Sequence, residues 1–267
     1  MDLRLQGKRA LVTGGSRGIG KAIARALAQE GANVALLARH AGPLAGAAQE
    51  FAATSGRKVI AVCADTGDDA QVRRAVAEAV AGLGGTIDIL VNAAAEPAGF
   101  ANPPQLAQIT GDFFHAEMNT KVMGYLRCAR EVAPAMRSAG WGRIVNVSGL
   151  AARQTGNAVG SMRNIAVAAL TKNLADELGP HGVQVNVVHP GLTRTERTAP
   201  LVAAQAAAQG LAEQAVYEQM AAGNSIRHLV DADEVADVVA FLCSPRSRAI
   251  NGESIAVGGG APRSIYY

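Results

Sequence analysis

A glycine-rich turn between an apolar strand and a helical stretch is the feature that most constrains the fold of this chain. The turn follows the apolar run Arg9 to Val12 and precedes the helix-patterned stretch Lys21 to Glu30. Its glycines, from Gly14 to Gly20, are spaced G-x-x-x-G-x-G. Such a turn lets the backbone approach a pyrophosphate that lies at the helix N-terminus. Alone, a glycine-rich turn is more often a plain loop, so its meaning depends on the rest of the chain.

Short apolar runs alternate with helical patterns along the chain. The alternation indicates parallel strands joined by crossover helices, and the continuous apolar runs favour a sheet covered on both faces. The sequence therefore predicts an α/β fold of the Rossmann type, a doubly wound parallel sheet of about seven strands with helices on both faces. The predicted strands lie at 9–13, 33–38, 58–63, 87–91, 143–148, 183–188 and 254–257.

Length and composition narrow the class of protein. A chain of 267 residues with 49% hydrophobic content can bury one substantial core, so we expect one domain over residues 1–267. The net charge is +3, without a run of like charges, which argues against a nucleic-acid partner. The absence of a signal segment or a long apolar stretch predicts a cytoplasmic protein with no membrane partner. The three dispersed cysteines suggest neither disulfides nor a metal site.

Further motifs stand at the carboxyl ends of the predicted strands. They are Asn92-Ala93-Ala94-Ala95, Ser148, and the run from Pro190 to Thr195. Because parallel strands end at one edge of a sheet, these motifs and the glycine turn should converge on one crevice. Together they resemble the short-chain dehydrogenase/reductase family across nearly the whole chain. The resemblance implies an oxidoreductase that binds a nicotinamide dinucleotide and acts on a small carbonyl or alcohol substrate.

The resemblance also assigns cofactor contacts residue by residue. Asp65 corresponds to the family acid that accepts a hydrogen bond from the adenine amino group. The full set expected to bind the cofactor is Gly14, Ser16, Arg17, Gly18, Ile19, Gly20, Arg39, Asp65, Thr66, Asn92, Ala93, Ala94, Pro190, Gly191, Thr193 and Thr195.

The end of the second strand distinguishes the two nicotinamide cofactors. It reads Ala38-Arg39-His40, without a carboxylate to accept from a ribose 2′-hydroxyl. Arg17 and Arg39 carry the planar fork that suits phosphate oxygens. We therefore expect NADP(H), with NAD(H) as the alternative. Two solvated surface arginines would be the plainer interpretation of the same residues.

The chain lacks the catalytic pair of the family. The family uses a tyrosine whose pKa is lowered by a lysine four residues later, and those positions are here Gly160 and Asn164. The nearest lysine is Lys172, so shifting the alignment does not restore the pair. Glycine has no proton to donate, and an amide carries no charge. Losing positioned acid catalysis typically costs about 10²–10⁴ in rate.

Three residues remain as candidates for the chemistry. Ser148 matches the family serine, although an alignment on the strand places Gly149 there instead. Asn119 matches the family asparagine that holds a proton-relay water, but it would equally suit an ordinary helix position. Asn164 can still bond ribose hydroxyls. His189 is a weaker candidate acid, because a lone histidine is usually structural.

The segment 192–226 breaks the alternation of strands and helices. It is rich in alanine and glutamine and approaches a helix stop at Gly223-Asn224. The resemblance implies a mobile helical lid over the substrate, whereas the residues alone suggest a surface helix of weak amphipathicity. Residues 96–104, including Phe100, should complete a pocket with Met220 that suits a largely apolar small molecule.

Three functions remain open from the sequence. The first is an NADP(H)-dependent oxidoreductase that takes its proton from water relayed by Asn119, from Ser148 or from Tyr217. The second is a non-catalytic NADP(H)-binding protein, a sensor or partner subunit, which the missing pair would favour. The third is a cofactor-free lyase or dehalogenase, which would not need the intact turn or Arg39. The extent of the resemblance favours the first.

Two helix patterns bear on assembly. The stretches 105–137 and 155–179 resemble helices that pair between subunits of the family. An alanine-rich face formed by Ala166, Ala169 and Ala175 would permit close helix approach, although core packing gives the same stripe. The sequence therefore predicts a homo-oligomer, a tetramer or a dimer.

Overall fold

Seven of the nine strands that the structure describes follow the alternation expected from the sequence. A computed structural model of the protein describes residues 1–95 and 103–262. Within that part of the chain, the strands are β1 (Arg9–Thr13), β2 (Asn33–Ala38), β3 (Val59–Cys63), β4 (Ile89–Asn92), β5 (Gly142–Val147), β6 (Val183–Pro190), β7 (Thr193–Arg194), β8 (Val230–Asp231) and β9 (Ser254–Val257).

Seven of these strands form one parallel sheet in the order β3-β2-β1-β4-β5-β6-β9. The two remaining strands, β7 and β8, pair only with each other. The predicted seven-stranded parallel sheet is therefore confirmed, with small differences at the strand ends. Because β1 lies between β2 and β4, the strand order reverses at β1. The carboxyl edge beside β1 is where such sheets form a ligand crevice.

Helices cover both faces of the sheet, as predicted. The described helices are α1 (Gly18–Gln29), α2 (Ala41–Ser55), α3 (Asp69–Leu83), α4 (Gly111–Met118), α5 (Gly124–Ala139), α6 (Ala158–Leu178), α7 (Thr198–Gln209), α8 (Glu213–Ala221) and α9 (Ala232–Cys243). On one face, α1, α2 and α9 share a buried cluster with the sheet; on the other, α3, α5 and α6 do so.

The alternation of side chains along the central strands produces the two cores. In β1, Val12 belongs to the cluster on the α1 side and Leu11 to the cluster on the α3 side. In β4, Val91 and Leu90 divide in the same way. All four side chains are fully buried, which is why these strands show as continuous apolar runs in the sequence.

The helix predicted at 105–137 differs from the expectation in two ways. It begins at Gly111, after the Thr110 hydroxyl caps it by accepting from the Phe113 amide. It is then interrupted by one π-helical turn, Asn119–Met123, before α5 begins. A π turn inserts an extra residue into the helical repeat and is frequent at functional sites. This turn rotates the side chains after it relative to a regular helix.

The outer face of α6 carries an apolar stripe at helical spacing. Met162 and Ile165 are about half exposed, and Ala169 is exposed one turn further along. Ala175, expected on the same face, is instead buried in the core. Among the described helices, none combines the length and the apolar character that a bilayer span requires.

We propose that the exposed apolar stripe of α6 forms the subunit contact of the predicted homo-oligomer, and we expect Ile165→Glu to reduce the mass of that oligomer, because the introduced charge would be buried unpaired. Light scattering at micromolar concentration measures the effect, and circular dichroism checks that the fold is kept. Leu211→Glu is the matched control, since Leu211 is also an exposed apolar residue but lies after α7. A monomeric unaltered protein would rule the assembly out.

Candidate active site

A cavity of about 600 Å³ lies at the carboxyl edge of the sheet. Its volume is within the usual range for small-molecule and cofactor sites. The glycine turn, the ends of β2, β4, β5 and β6, the start of α6 and part of the segment 192–226 all line it. The convergence of separate motifs that the strand pattern predicts is thus found at the point where the strand order reverses.

The glycine turn can approach the sheet only because it has no side chains at two positions. A Cβ atom on Gly14 would lie 2.7 Å from the Ala93 carbonyl oxygen, and Gly14 has a φ of +70°. A Cβ atom on Gly20 would lie 2.4 Å from the Gly14 carbonyl oxygen. The Thr13 hydroxyl accepts hydrogen bonds from the amides of Ala93 and Ala94, at 3.0 and 3.1 Å. The turn is therefore held against the end of β4.

Most of the residues expected to bind a cofactor line the cavity. They are Gly14, Ser16, Arg17, Gly18, Ile19, Gly20, Arg39, Thr66, Ala93, Ala94, Pro190, Gly191, Thr193 and Thr195.

Asp65 and Asn92 are not among the residues that line the cavity. The Asp65 carboxylate accepts from the Gly67 amide at 2.8 Å. The Asn92 amide donates to the Asn146 side chain at 3.0 Å, and Asn146 donates to the Thr171 hydroxyl at 2.9 Å. The structure therefore gives Asn92 a framework contact that joins β4, β5 and α6.

A carboxylate lies at the N-terminus of α1. Glu196 Oε1, from the segment after β7, accepts from the Gly18 amide at 2.7 Å. The first turn of α1 contains no acidic residue of its own. Amide donors at a helix N-terminus bind anions, so the Glu196 oxygen occupies the kind of position that a phosphate oxygen takes.

The start of α6 carries Gly160 and Asn164 at the positions where the family has its catalytic pair, and a side-chain cap closes the helix N-terminus. Gly160 and Asn164 both line the cavity. Asn157 caps α6 by accepting from the Gly160 amide at 2.8 Å. A Cβ atom on Gly160 would lie only 2.7 Å from the Asn157 side chain. A larger residue at position 160 would therefore require this cap to move.

Ser148 is engaged by the backbone of α6. Its hydroxyl donates to the Asn164 carbonyl at 3.0 Å, and the residue is largely buried. Both Ser148 and Gly149 line the cavity. A Cβ atom on Gly149 would lie 3.1 Å from the Asn164 side-chain nitrogen. The cavity wall at Gly149 and Gly160 thus consists of backbone, and the side chains of Asn164 and Asn157 occupy the space beside it.

The structure does not bring Asn119 to the cavity. Its side chain donates to the Gly67 carbonyl at 3.1 Å and accepts from Arg127 at 2.8 Å. Two residues later on the π-helical turn, Lys121 does line the cavity. Its ammonium group donates to the Ser148 carbonyl at 2.9 Å and to Asn164 Oδ1 at 3.0 Å.

Comparison with known proteins identifies the family. A family model described as enoyl-(acyl carrier protein) reductase matches residues 14–262. The short-chain reductase protein NovJ of Streptomyces niveus is 34% identical, over 95% of this chain and 93% of its own length. The chain belongs to the short-chain dehydrogenase/reductase family.

Two further comparisons cover almost the whole chain. The NADPH-dependent reductase BacG of Bacillus subtilis is 28% identical, over 96% of this chain and 98% of its own length. The crystal structure of L-sorbose reductase from Gluconobacter frateurii, complexed with NADPH and L-sorbose, has a TM-score of 0.91 at 29% identity. That match covers 99% of this chain and 100% of the other.

Among the described residues that line the cavity, Lys121 is a titratable one that the sequence did not single out. It stands two positions from Asn119, which was assigned instead. A regular helix gives no reason to prefer one over the other. The π turn, which the sequence does not reveal, directs Lys121 into the cavity. The sequence did contain one signal. The chain has few lysines, and Lys121 is a lysine that lies close to Asn119, an expected site position.

The environment of Lys121 favours loss of its proton. Burial, together with the nearby Arg163 guanidinium, lowers the pKa of Lys121 to about 7, while Glu117 opposes the shift. Arg163 and Glu117 form an ion pair with little exposure. An ammonium with such a pKa changes charge close to neutral pH, unlike an exposed lysine.

The other candidate acids are less suitable. Burial lowers the pKa of His189 to about 4, so this imidazole is neutral at pH 7, and its Nδ1 lies 3.0 Å from the Gly149 carbonyl oxygen. Tyr217 packs beside Val216 on α8 and is not among the described residues that line the cavity. Leu192, Met220 and Asn224 are among the residues of the segment 192–226 that do line it.

Residues 96–102, including Phe100, belong to the predicted substrate pocket and lie outside the described residues.

We expect Lys121→Met to remove a pH dependence of stability. The pKa of Lys121 is about 7 when folded and 10.5 as the ordinary value, so between these pH values the unfolded chain binds more protons than the folded one. The free energy of unfolding contributed by Lys121 therefore rises with pH across this window. Urea unfolding across the same window measures the free energy of unfolding. Lys121→Met should be more stable than the unaltered protein at the lower end of the window, and this difference should shrink as pH rises.

The control for this measurement is Lys172→Met, because Lys172 is an exposed lysine on α6. Its stability difference from the unaltered protein should not depend on pH in that window. Parallel curves for Lys121→Met and the unaltered protein would contradict the lowered pKa.

Proposed function

We propose that the protein is an NADP(H)-dependent reductase of a small, largely apolar carbonyl compound, with an atypical active site. The observation that carries the proposal is that one cavity unites the glycine turn, Arg17 and Arg39 with Lys121 and Asn164. The first group suits a phosphorylated dinucleotide, and the second suits proton chemistry. The reductases BacG and L-sorbose reductase, both described with NADPH, support the same class of activity.

The residues present fit a dinucleotide on two observations. Gly14 and Gly20 let the turn pack directly against neighbouring backbone. A Cβ atom on Gly18 would meet only the Thr195 methyl group, at 3.8 Å, so the turn is open to a ligand at Gly18. The Gly18 amide already binds an anionic oxygen, that of Glu196. A phosphate at the same amide would be held by the N-terminus of α1.

Each part of the cavity then has a distinct task. Arg17 and Arg39 would bind the 2′-phosphate, and Thr193 and Thr195 would contact the cofactor at the end of β6. Asn164 would bond the nicotinamide ribose. When bound, the cofactor supplies a hydride to the carbonyl carbon. The protein must bring a proton to the carbonyl oxygen, because the alkoxide that would otherwise form is strongly basic.

A non-catalytic role in NADP(H) binding is the second candidate. Gly160 and Asn164 favour it, since they remove both the acid and the charge that the family uses. The two candidates differ in one measurement, which is the oxidation of NADPH in the presence of a panel of aliphatic, cyclic and aromatic ketones and aldehydes. We expect carbonyl-dependent oxidation; NADPH binding without any turnover would favour the sensor or partner subunit.

We expect tighter binding of NADPH than of NADH, and Arg39→Asp should remove the preference. Losing a charge-assisted hydrogen bond to phosphate costs about 1.5–3 kcal/mol, or roughly 10- to 100-fold in affinity. Calorimetric titration of both cofactors measures the ratio. Arg73→Asp is the control, because Arg73 is exposed on α3 and does not line the cavity. An unchanged ratio in Arg39→Asp would show that the phosphate is bound elsewhere.

We also expect Glu196→Gln to bind NADPH more tightly than the unaltered protein. The Glu196 carboxylate competes for the Gly18 amide, and a charge at a helix N-terminus is typically worth about 0.3–1 kcal/mol, which corresponds to roughly two- to fivefold in affinity. Calorimetry at low salt measures the change. Glu213→Gln, at an exposed site on α8, should leave the affinity unaltered. Weaker binding by Glu196→Gln would mean that Glu196 assists the cofactor.

A further inference from the structure

We propose that Lys121 is the proton source of this active site, taking the place of the tyrosine and lysine that the family uses. The inference rests on the proposed function, because a proton is required only if a carbonyl is reduced in the cavity. It assigns a catalytic residue to a position on the π-helical turn rather than to α6.

The hydrogen bonds of Lys121 leave one donor for the cavity. An ammonium group has three N–H donors, and two of them are directed to the Ser148 carbonyl and to Asn164 Oδ1. Lys121 is 4% exposed and lines the cavity. Gly149 and Gly160 line it as well. At these two positions the cavity wall is backbone, packed beside the side chains of Asn164 and Asn157. The third donor of Lys121 is the one available to a substrate oxygen, or to a water between that oxygen and the ammonium.

The contact between Lys121 and Asn164 joins a cation and an amide, the residue types that the family resemblance assigns to the opposite elements. The family has an asparagine on the helix before β5 and a lysine on α6. Here the lysine is on the earlier helix and the asparagine is on α6, and the two side chains meet at 3.0 Å. The crevice thus keeps one amide and one cation across a single hydrogen bond, although neither stands in its usual position.

The charges that surround Lys121 suit an acid that works near neutral pH. Arg163 faces it from α6 and Glu117 from α4, and His189 faces it from β6 but is neutral at pH 7. Burial and Arg163 make Lys121 a stronger acid than an exposed lysine. Proton donors are most effective when their pKa lies near the working pH. An ordinary lysine would give up its proton far less readily.

The proton balance of the step is complete. The carbonyl carbon accepts a hydride from the bound nicotinamide, and the carbonyl oxygen accepts a proton that Lys121 releases, directly or through one water. The products are the alcohol, the oxidised cofactor and the neutral amine of Lys121. The amine then regains a proton from solvent. No further oxidant or reductant is needed.

The first test compares Lys121→Met with the control Lys172→Met on the best substrate of the unaltered protein. We expect Lys121→Met to lower kcat by about 10²-fold or more while NADPH affinity, measured by calorimetry, stays close to that of the unaltered protein. Lys172→Met should change neither. Retention of kcat in Lys121→Met would overturn the inference and leave the proposed function standing. No carbonyl reduction by the unaltered protein would overturn both.

The second test follows the proton itself. In protein labelled with ¹³C at lysine Cε, the signal that disappears in Lys121→Met identifies Lys121. We expect that signal to titrate near neutral pH and kcat/KM for reduction to fall with the same midpoint as pH rises. A signal that titrates like those of exposed lysines would overturn the inference, and so would a kcat/KM profile with no matching midpoint.

The third test is a double-mutant cycle whose first readout, stability, does not depend on activity. Asn164→Lys alone puts two ammonium groups in contact, and Lys121→Asn alone leaves two amides. The double variant Lys121→Asn, Asn164→Lys restores one amide and one cation. We expect it to be more stable to urea than the sum of the single changes predicts, and to recover NADPH-dependent reduction relative to Lys121→Asn. Additive stability changes would show that the two positions do not form a functional pair.

Discussion

The close approach of the glycine turn to the end of β4 is the constraint on which the site depends. A side chain at Gly14 or Gly20 would collide with backbone, so the turn can lie against β4 only without one. That contact places the N-terminus of α1 over the point where the strand order reverses. Strands β5 and β6 and helix α6 then bring their own ends to the same crevice. The crevice is thus a consequence of packing.

A buried ammonium is the second constraint, and it acts against stability. Lys121 is removed from water and lies near Arg163, so its charged form is disfavoured. Two acceptors, the Ser148 carbonyl and Asn164 Oδ1, compensate in part. Buried ionisable groups with shifted pKa values are concentrated at functional sites. Filling the space alone would not require an ammonium, so the burial of this charge beside the cavity points to chemistry there.

Strand and helix patterns predicted the fold, because burial on both faces leaves continuous apolar runs such as those of β1 and β4. The glycine turn predicted one end of the crevice for a similar reason, since its spacing reflects backbone contact. The other end was harder to predict. Asn119 was assigned and Lys121 was not considered, because the π turn between α4 and α5 depends on tertiary packing and leaves no regular spacing. Glu196 at the α1 N-terminus joins residues far apart in the chain, which no local pattern can indicate.

Restoring a tyrosine and a lysine at positions 160 and 164 would not return this site to the family arrangement. A side chain at position 160 meets Asn157, whose side chain caps α6. A lysine at position 164 meets the ammonium of Lys121, which now bonds Asn164. The substitutions at 160 and 164 are therefore coupled to Asn157 and Lys121 through direct contacts, and their effects cannot be additive. The sequence presents a missing pair, whereas the structure presents a rearranged site whose parts have to change together.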